Sequence, residues 1–187
     1  MRHLWQGIWL VLLAFPVLGA EGPQAIREPD ALVFISQQEY LHEAHVSFRA
    51  RFSLWVKLGP KLEQSATVLA PQFSSLSLCE SGKSADVVIW LRPHLAYNPV
   101  NGYHAKVDAD FYLGNGNRLG SLTATAIQRG WMGSVFAENE VQQAFDKAVQ
   151  EIASQYAADS KLHEAIRSGM ARDIARVPCH LSVLAPR

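Results

Sequence analysis

Two alternating stretches joined by Gly114-Asn115-Gly116-Asn117 constrain this chain more than any other feature. Before the joint, Tyr103, Ala105, Val107, Ala109, Phe111 and Leu113 recur at every second residue, and after it residues 119–127 (LGSLTATAI) return. Period two with one apolar side is the pattern of a half-buried strand, and Gly and Asn tolerate the positive φ that a tight hairpin turn requires. A long antiparallel hairpin is therefore expected, and its apolar side needs a cover.

The remaining elements supply that cover. Residues 137–158 place Val141, Ala144, Phe145, Ala148, Ile152 and Tyr156 at spacings of three and four, which predicts a long amphipathic helix. A weaker helix is expected over 161–174. Gly59-Pro60 opens another, with proline in its first turn, which Pro71 stops. Residues 31–36 (ALVFIS) and 73–79 (FSSLSLC) read as short strands. Residues 46–56 alternate without a break, with Val46, Phe48, Ala50, Phe52, Leu54 and Val56 on one side, and read as one strand. Residues 87–91 (VVIWL) are continuously apolar, as in an interior strand covered on both faces, and 93–102 (PHLAYNPVNG) read as a loop. This order predicts an α+β fold, a mostly antiparallel sheet with two or more amphipathic helices packed on one face.

The N-terminus carries an export signal. Arg2 is the positive region, 8–15 the apolar region, Pro16 breaks the helix, and Leu18-Gly19-Ala20 offers small residues for cleavage after Ala20. The apolar run is short of the roughly 20 residues a spanning helix needs. The expected organisation is a signal peptide over 1–20, a leader over 21–30 and one domain over 31–187. No cysteine stands directly after the cleavage point, so soluble export to the periplasm without lipid attachment is expected, with no membrane span after cleavage. In that oxidising compartment Cys79 and Cys179 are expected to form a disulfide. Two buried free thiols are the competing reading.

Seventeen basic residues balance seventeen acidic ones. The chain therefore lacks the cationic excess that a nucleic-acid binder or a polybasic membrane-surface protein needs. Ser81-Gly82-Lys83-Ser84 ends like a phosphate-binding loop, but the earlier glycine is replaced by Ser77 and a strand follows, so nucleotide binding is not expected. His42 and His45 are three apart and do not make the helical zinc motif, whose histidines are four apart. No Gly-x-Ser-x-Gly element is present, and Ser134 reads as a helix cap. Asp108 and Asp110 share one side of a strand and read as its solvated side. No catalytic, metal-binding or cofactor-binding residue is assigned and no cofactor is expected. His94, Tyr97, Tyr103, Trp131 and Met132 are the candidate interaction surface, since interfaces favour Trp, Tyr and Met.

From Ser84 to Tyr156 the arrangement resembles a group of bacterial envelope domains: the N-terminal domain of TolB, the curli secretion protein CsgG and the polysaccharide-secretion protein PelC. The resemblance is carried by Ala85-Asp86-Val87-Val88 at the start of a strand, the hairpin turn at 114–117 and the closing helix. It implies a non-enzymatic domain that binds other envelope proteins and assembles into oligomers. Two other readings stay open on the residues alone: a periplasmic hydrolase with a site that matches no motif, and a secreted inhibitor.

Overall fold

The computed structural model describes residues 27–48, 52–172 and 175–184; the expected signal peptide and most of the leader fall outside them. The chain runs β1 (Asp30–Phe34), α1 (Gln37–Leu41), β2 (Glu43–Phe48), β3 (Phe52–Lys57) and α2 (Leu58–Ala66). A 3-10 turn (Thr67–Gln72) containing Pro71 leads into β4 (Ser75–Leu78). Then come β5 (Val87–Asn98), β6 (Gly102–Leu113), β7 (Arg118–Gln128), α3 (Ala137–Ala158), α4 (Ser160–Met170) and α5 (Cys179–Leu184).

Five strands form one sheet in the order β4-β1-β5-β6-β7, and β2 and β3 form a separate hairpin. The α+β class holds. The long strands β5, β6 and β7 pair antiparallel, and the short β1 pairs parallel with both β4 and β5. The expected hairpin turn is present, with Gly116 at φ 93°. Helices α2, α3 and α4 pack on one face. There Val87, Ile89 and Leu91 of β5 meet Ala105, Val107, Ala109 and Phe111 of β6, beneath Phe145, Ala148 and Ile152 of α3. Each large apolar side chain so buried contributes about 1.5–3 kcal/mol, which makes this layer the main source of cohesion.

Three local expectations change. The alternation over 46–56 is two strands, because β2 and β3 pair with Val46 opposite Leu54 and His45 opposite Trp55. Three residues separate the strands, and an odd number sets even-numbered residues of β2 opposite even-numbered residues of β3. Period two therefore hides the reversal. Residues 93–98, expected in a loop, continue β5. β1 stops pairing at Trp90, so among the described residues β5 beyond it pairs only with β6, and Pro93 is tolerated there as on any edge strand. The tail holds a short helix, α5, that no periodicity announced.

The disulfide between Cys79 and Cys179 is formed, with 5.9 Å between the two Cα atoms. It ties α5 against the second face of the sheet, where Cys179 and Val183 pack on Leu32, Val88 and Tyr112. Buried Asp86 fastens the same end. Its carboxylate accepts from Arg27, from the Asp30 backbone N–H and from Arg176, joining the start of β1 and the C-terminal segment to β5. The Ser81–Ser84 segment is a turn beside this staple, with Gly82 at φ 83° and the Lys83 carbonyl accepting from the Cys179 N–H. Among the described residues no helix is long and apolar enough to cross a membrane.

Candidate functional site

The end of the sheet where β5 turns into β6 is built by two loops in contact. Gly102 adopts φ 99°, and a side chain there would run into the backbone of Gln128, Arg129 and Gly130. Glycine at 102 thus lets the β5–β6 turn lie directly on the loop that leads from β7 to α3. The Tyr97 hydroxyl accepts from the Met132 N–H at 3.4 Å, and the Tyr97 and Tyr103 rings meet at 5.0 Å. Met132 and Tyr103 are buried and support the loops from beneath.

Apolar side chains project from this support. Val135 is 91% exposed, Val100 86%, Phe136 62% and Trp131 54%. The Trp131 indole lies over Gly133, where any side chain would collide with the ring. Ser134 accepts from the Phe136 N–H through its hydroxyl at 3.0 Å, and the Ser134 N–H donates to the Trp131 carbonyl. The helix N-cap is Phe136, without a side-chain cap, so Ser134 shapes the loop one turn ahead of the helix. Phe136 and Val135 are therefore held outward at the start of α3. Monomeric surfaces rarely gather large apolar groups in this way unless something covers them.

Beneath the tip lies a polar pair. The Tyr103 hydroxyl and one Glu140 carboxylate oxygen are both buried without a hydrogen-bond partner among the described residues. Burial, reinforced by the nearby Glu140 and Tyr97, pushes the Tyr103 hydroxyl up to about 12. Tyr103 therefore stays neutral across any physiological pH.

His94 belongs to a different surface. It lies on the face of the sheet turned away from α3, where its ring Nε2 is 3.1 Å from Asp108. Asp108 also accepts from Thr123 at 2.7 Å and pairs with Lys106 at 3.2 Å. Desolvation raises the Asp108 carboxyl, but the Thr123 and Lys106 hydrogen bonds and the charges of Lys106 and His94 outweigh it, leaving it below the usual range. Asp110 next to it is buried, held between Arg92 at 2.7 Å and Arg118. The expected solvated side of β6 is thus an ion-pair lattice. Its His94–Asp108–Thr123 chain has the carboxylate in the middle, whereas hydroxyl activation needs the imidazole there.

A groove of about 540 Å³ lies between β4 and α2, lined by Val33, Tyr40, Glu63, Thr67, Leu76 and Leu78 among others. A hydrogen bond to Glu63, whose charge adds to the effect, raises the Tyr40 hydroxyl above its ordinary value. Among the described residues no histidine, cysteine, lysine or arginine lines this groove. Among the described residues no three His, Cys, Asp or Glu side chains gather as metal ligands.

Of the five residues expected at an interaction surface, Tyr97, Tyr103, Trp131 and Met132 thus come together at the tip, and His94 does not. Val100, Val135 and Phe136, the most exposed members, were not among them. The available signal was an adjacent Val-Phe pair ahead of Ala137 that lies outside the apolar stripe of α3.

No protein-family model matches the chain, and no curated protein matches it. Among solved structures, protein XCC0632 from Xanthomonas campestris, described under family model DUF330, is similar at a TM-score of 0.47 and 10% identity. That match covers 81% of this chain and 94% of the other. A candidate lipoprotein from Caulobacter crescentus CB15 is similar at a TM-score of 0.38 and 11% identity, over 78% of this chain and 93% of the other. Neither is a TolB, CsgG or PelC protein. Both cysteines of the present chain are in its disulfide.

Proposed function

We propose that this chain is an exported, non-enzymatic binding or adaptor protein of the bacterial cell envelope that engages a partner protein through its loop tip. In this reading residues 1–20 are removed on export, 21–30 lead into one domain over 31–187, and the product works in the periplasm as a soluble protein. The observation that carries it is the exposure of Val100, Trp131, Val135 and Phe136 on two loops that meet at Gly102 and through the Tyr97–Met132 hydrogen bond. A disulfide joining Cys79 to Cys179 supports a compartment in which thiols oxidise. The resemblance to TolB, CsgG and PelC domains points to partners within the envelope.

The test places a photo-crosslinking amino acid at Val135 or Phe136, and at Ser168 on α4 as a control, in cells making the chain at native level. One discrete adduct from the two tip positions and none from Ser168 is expected, and Trp131→Asp should abolish it. Adducts of equal yield from all three positions, or none from the tip, would refute the assignment. Fractionation of the same cells checks export independently, and a cytoplasmic, full-length product would end that part of the reading.

A further inference from the structure

The sheet ends at β4 and β7, and the far half of β5 beyond Trp90, which carries Pro93, pairs only with β6. β4 is four residues long, whereas β7 runs for eleven, roughly 37 Å at the usual rise per residue. Natural edge strands of that length are guarded by charges, proline, bulges or a covering segment, because their unpaired N–H and C=O groups invite another strand. β7 has little of this. Between Arg118 and Arg129 the sequence LGSLTATAIQ contains no charge and no proline. The one register irregularity lies at its beginning, between Phe111 and Tyr112 of the neighbouring strand.

The direction of its backbone groups is fixed by one contact. The Thr123 carbonyl accepts from the Gln155 amide of α3 at 3.4 Å, so it points away from β6. By strand alternation the backbone groups of Ser121, Thr125 and Ile127 point the same way. All four residues are exposed. Apart from that long Gln155 contact, no hydrogen bond within the described residues occupies this edge.

We infer that β7 is the seam of a homodimer, in which two copies pair their β7 strands antiparallel about Thr123 and join two five-stranded sheets into one of ten. The strand is complementary to itself. With Thr123 facing its own copy, Ser121 faces Thr125, Leu119 faces Ile127 and Arg118 faces the uncharged Gln128, so no like charges oppose one another. Head-to-tail pairing of β7 with β4 would leave most of β7 open, because β4 offers only four residues. This inference does not depend on the tip, which lies beyond Gln128.

The experiment is sedimentation velocity on the oxidised chain, expressed with its own N-terminal segment, across micromolar concentrations. A dimer is expected. The double variant S121K/T125K places lysine opposite lysine twice and should lose the dimer while keeping the wild-type circular dichroism spectrum. S121K/T125E places lysine opposite glutamate twice and should restore it. A wild-type monomer, a dimer indifferent to S121K/T125K, or a series of ever larger species would each overturn the seam. If the lysine variant does not fold, T123C with a short thiol crosslinker decides. Covalent dimer at Thr123 supports the seam, and absence of it with S168C as the control overturns it.

Discussion

The two faces of the five-stranded sheet are made by alternate residues of the same strands, yet they are held by different physics. On β6 the odd-numbered residues Tyr103, Ala105, Val107, Ala109 and Phe111 are fully buried under α3. Three of the four even-numbered residues between them, Lys106, Asp108 and Asp110, enter a lattice with Arg92, His94, Arg118 and Thr123. Burial on the first face is non-directional, so its strength follows area and packing. The second face buries apolar area only where α5 covers Leu32, Val88 and Tyr112; elsewhere its bonds join β5, β6 and β7 at defined positions. A one-residue slip of β6 would put Phe111 into water and Asp110 under α3. The covered face supplies the stability, and the open face makes one register better than its neighbours.

The sharpest way to break this comparison is to remove a large side chain from the covered face. Phe111 is fully buried and stacks on Tyr156 at 5.4 Å. Phe111→Ala should cost about 3–5 kcal/mol, through lost transfer energy and the cavity left behind. Urea unfolding should show a lower midpoint with an unchanged slope. A loss below 1 kcal/mol would mean that the helix layer is not the main source of cohesion.

The staple on the second face comes next. Cys179→Ser paired with Cys79→Ser should cost about 2–4 kcal/mol, since the bridge closes a loop of 100 residues. Hydrogen exchange localises the effect. Loosening should concentrate in α5 and the Lys83–Cys179 contact and leave α3 protected. Uniform loss of protection would show that the bridge supports the whole sheet.

How much of this was legible follows the same division. The covered face was readable because apolar alternation and a three-four helical spacing are independent signs of one layer, and both pointed to β6 and α3. The open face was misread as solvated, because sequence spacing places Asp108 and Asp110 on one side of a strand but gives no view of Arg92 on β5 or Arg118 on β7. Those partners arrive only when the strands pair. The tip was partly legible for a similar reason. Trp131 and Met132 announce themselves by residue type, whereas the exposure of Val135 and Phe136 depends on where α3 begins. Hairpin β2–β3 escaped because its three-residue connection preserves the period that was being read.

On the open face Asp110→Asn is the next largest perturbation. The carboxylate is 3% exposed and serves two guanidinium groups, each about one-third exposed. Solvent can take up part of the lost pairing, so about 1–2 kcal/mol is expected, less than for a fully buried pair. The loss should shrink little with salt, because the carboxylate itself is out of water. Equal or greater destabilisation than Phe111→Ala would reverse the ranking of the two faces.

The smallest effect tests whether the lattice tunes pH dependence. Asp108 sits below its ordinary value in the folded protein, so its contribution is present above about pH 4, the unfolded carboxyl's range, and is lost as pH falls through the lower folded value. Thr123→Val keeps the shape of the side chain and removes the hydroxyl that donates to Asp108. At neutral pH the cost should be about 0.5–1 kcal/mol, the worth of one exposed hydrogen bond. The diagnostic is the difference between variant and wild type as acid is added. The folded Asp108 carboxyl moves back toward its unfolded value in the variant, so the two stabilities should converge as both carboxyls become protonated. A difference that stays constant from pH 7 to the acid limit would show that Thr123 acts through strand packing alone, and the open face would then fix register without contributing to acid stability through this bond.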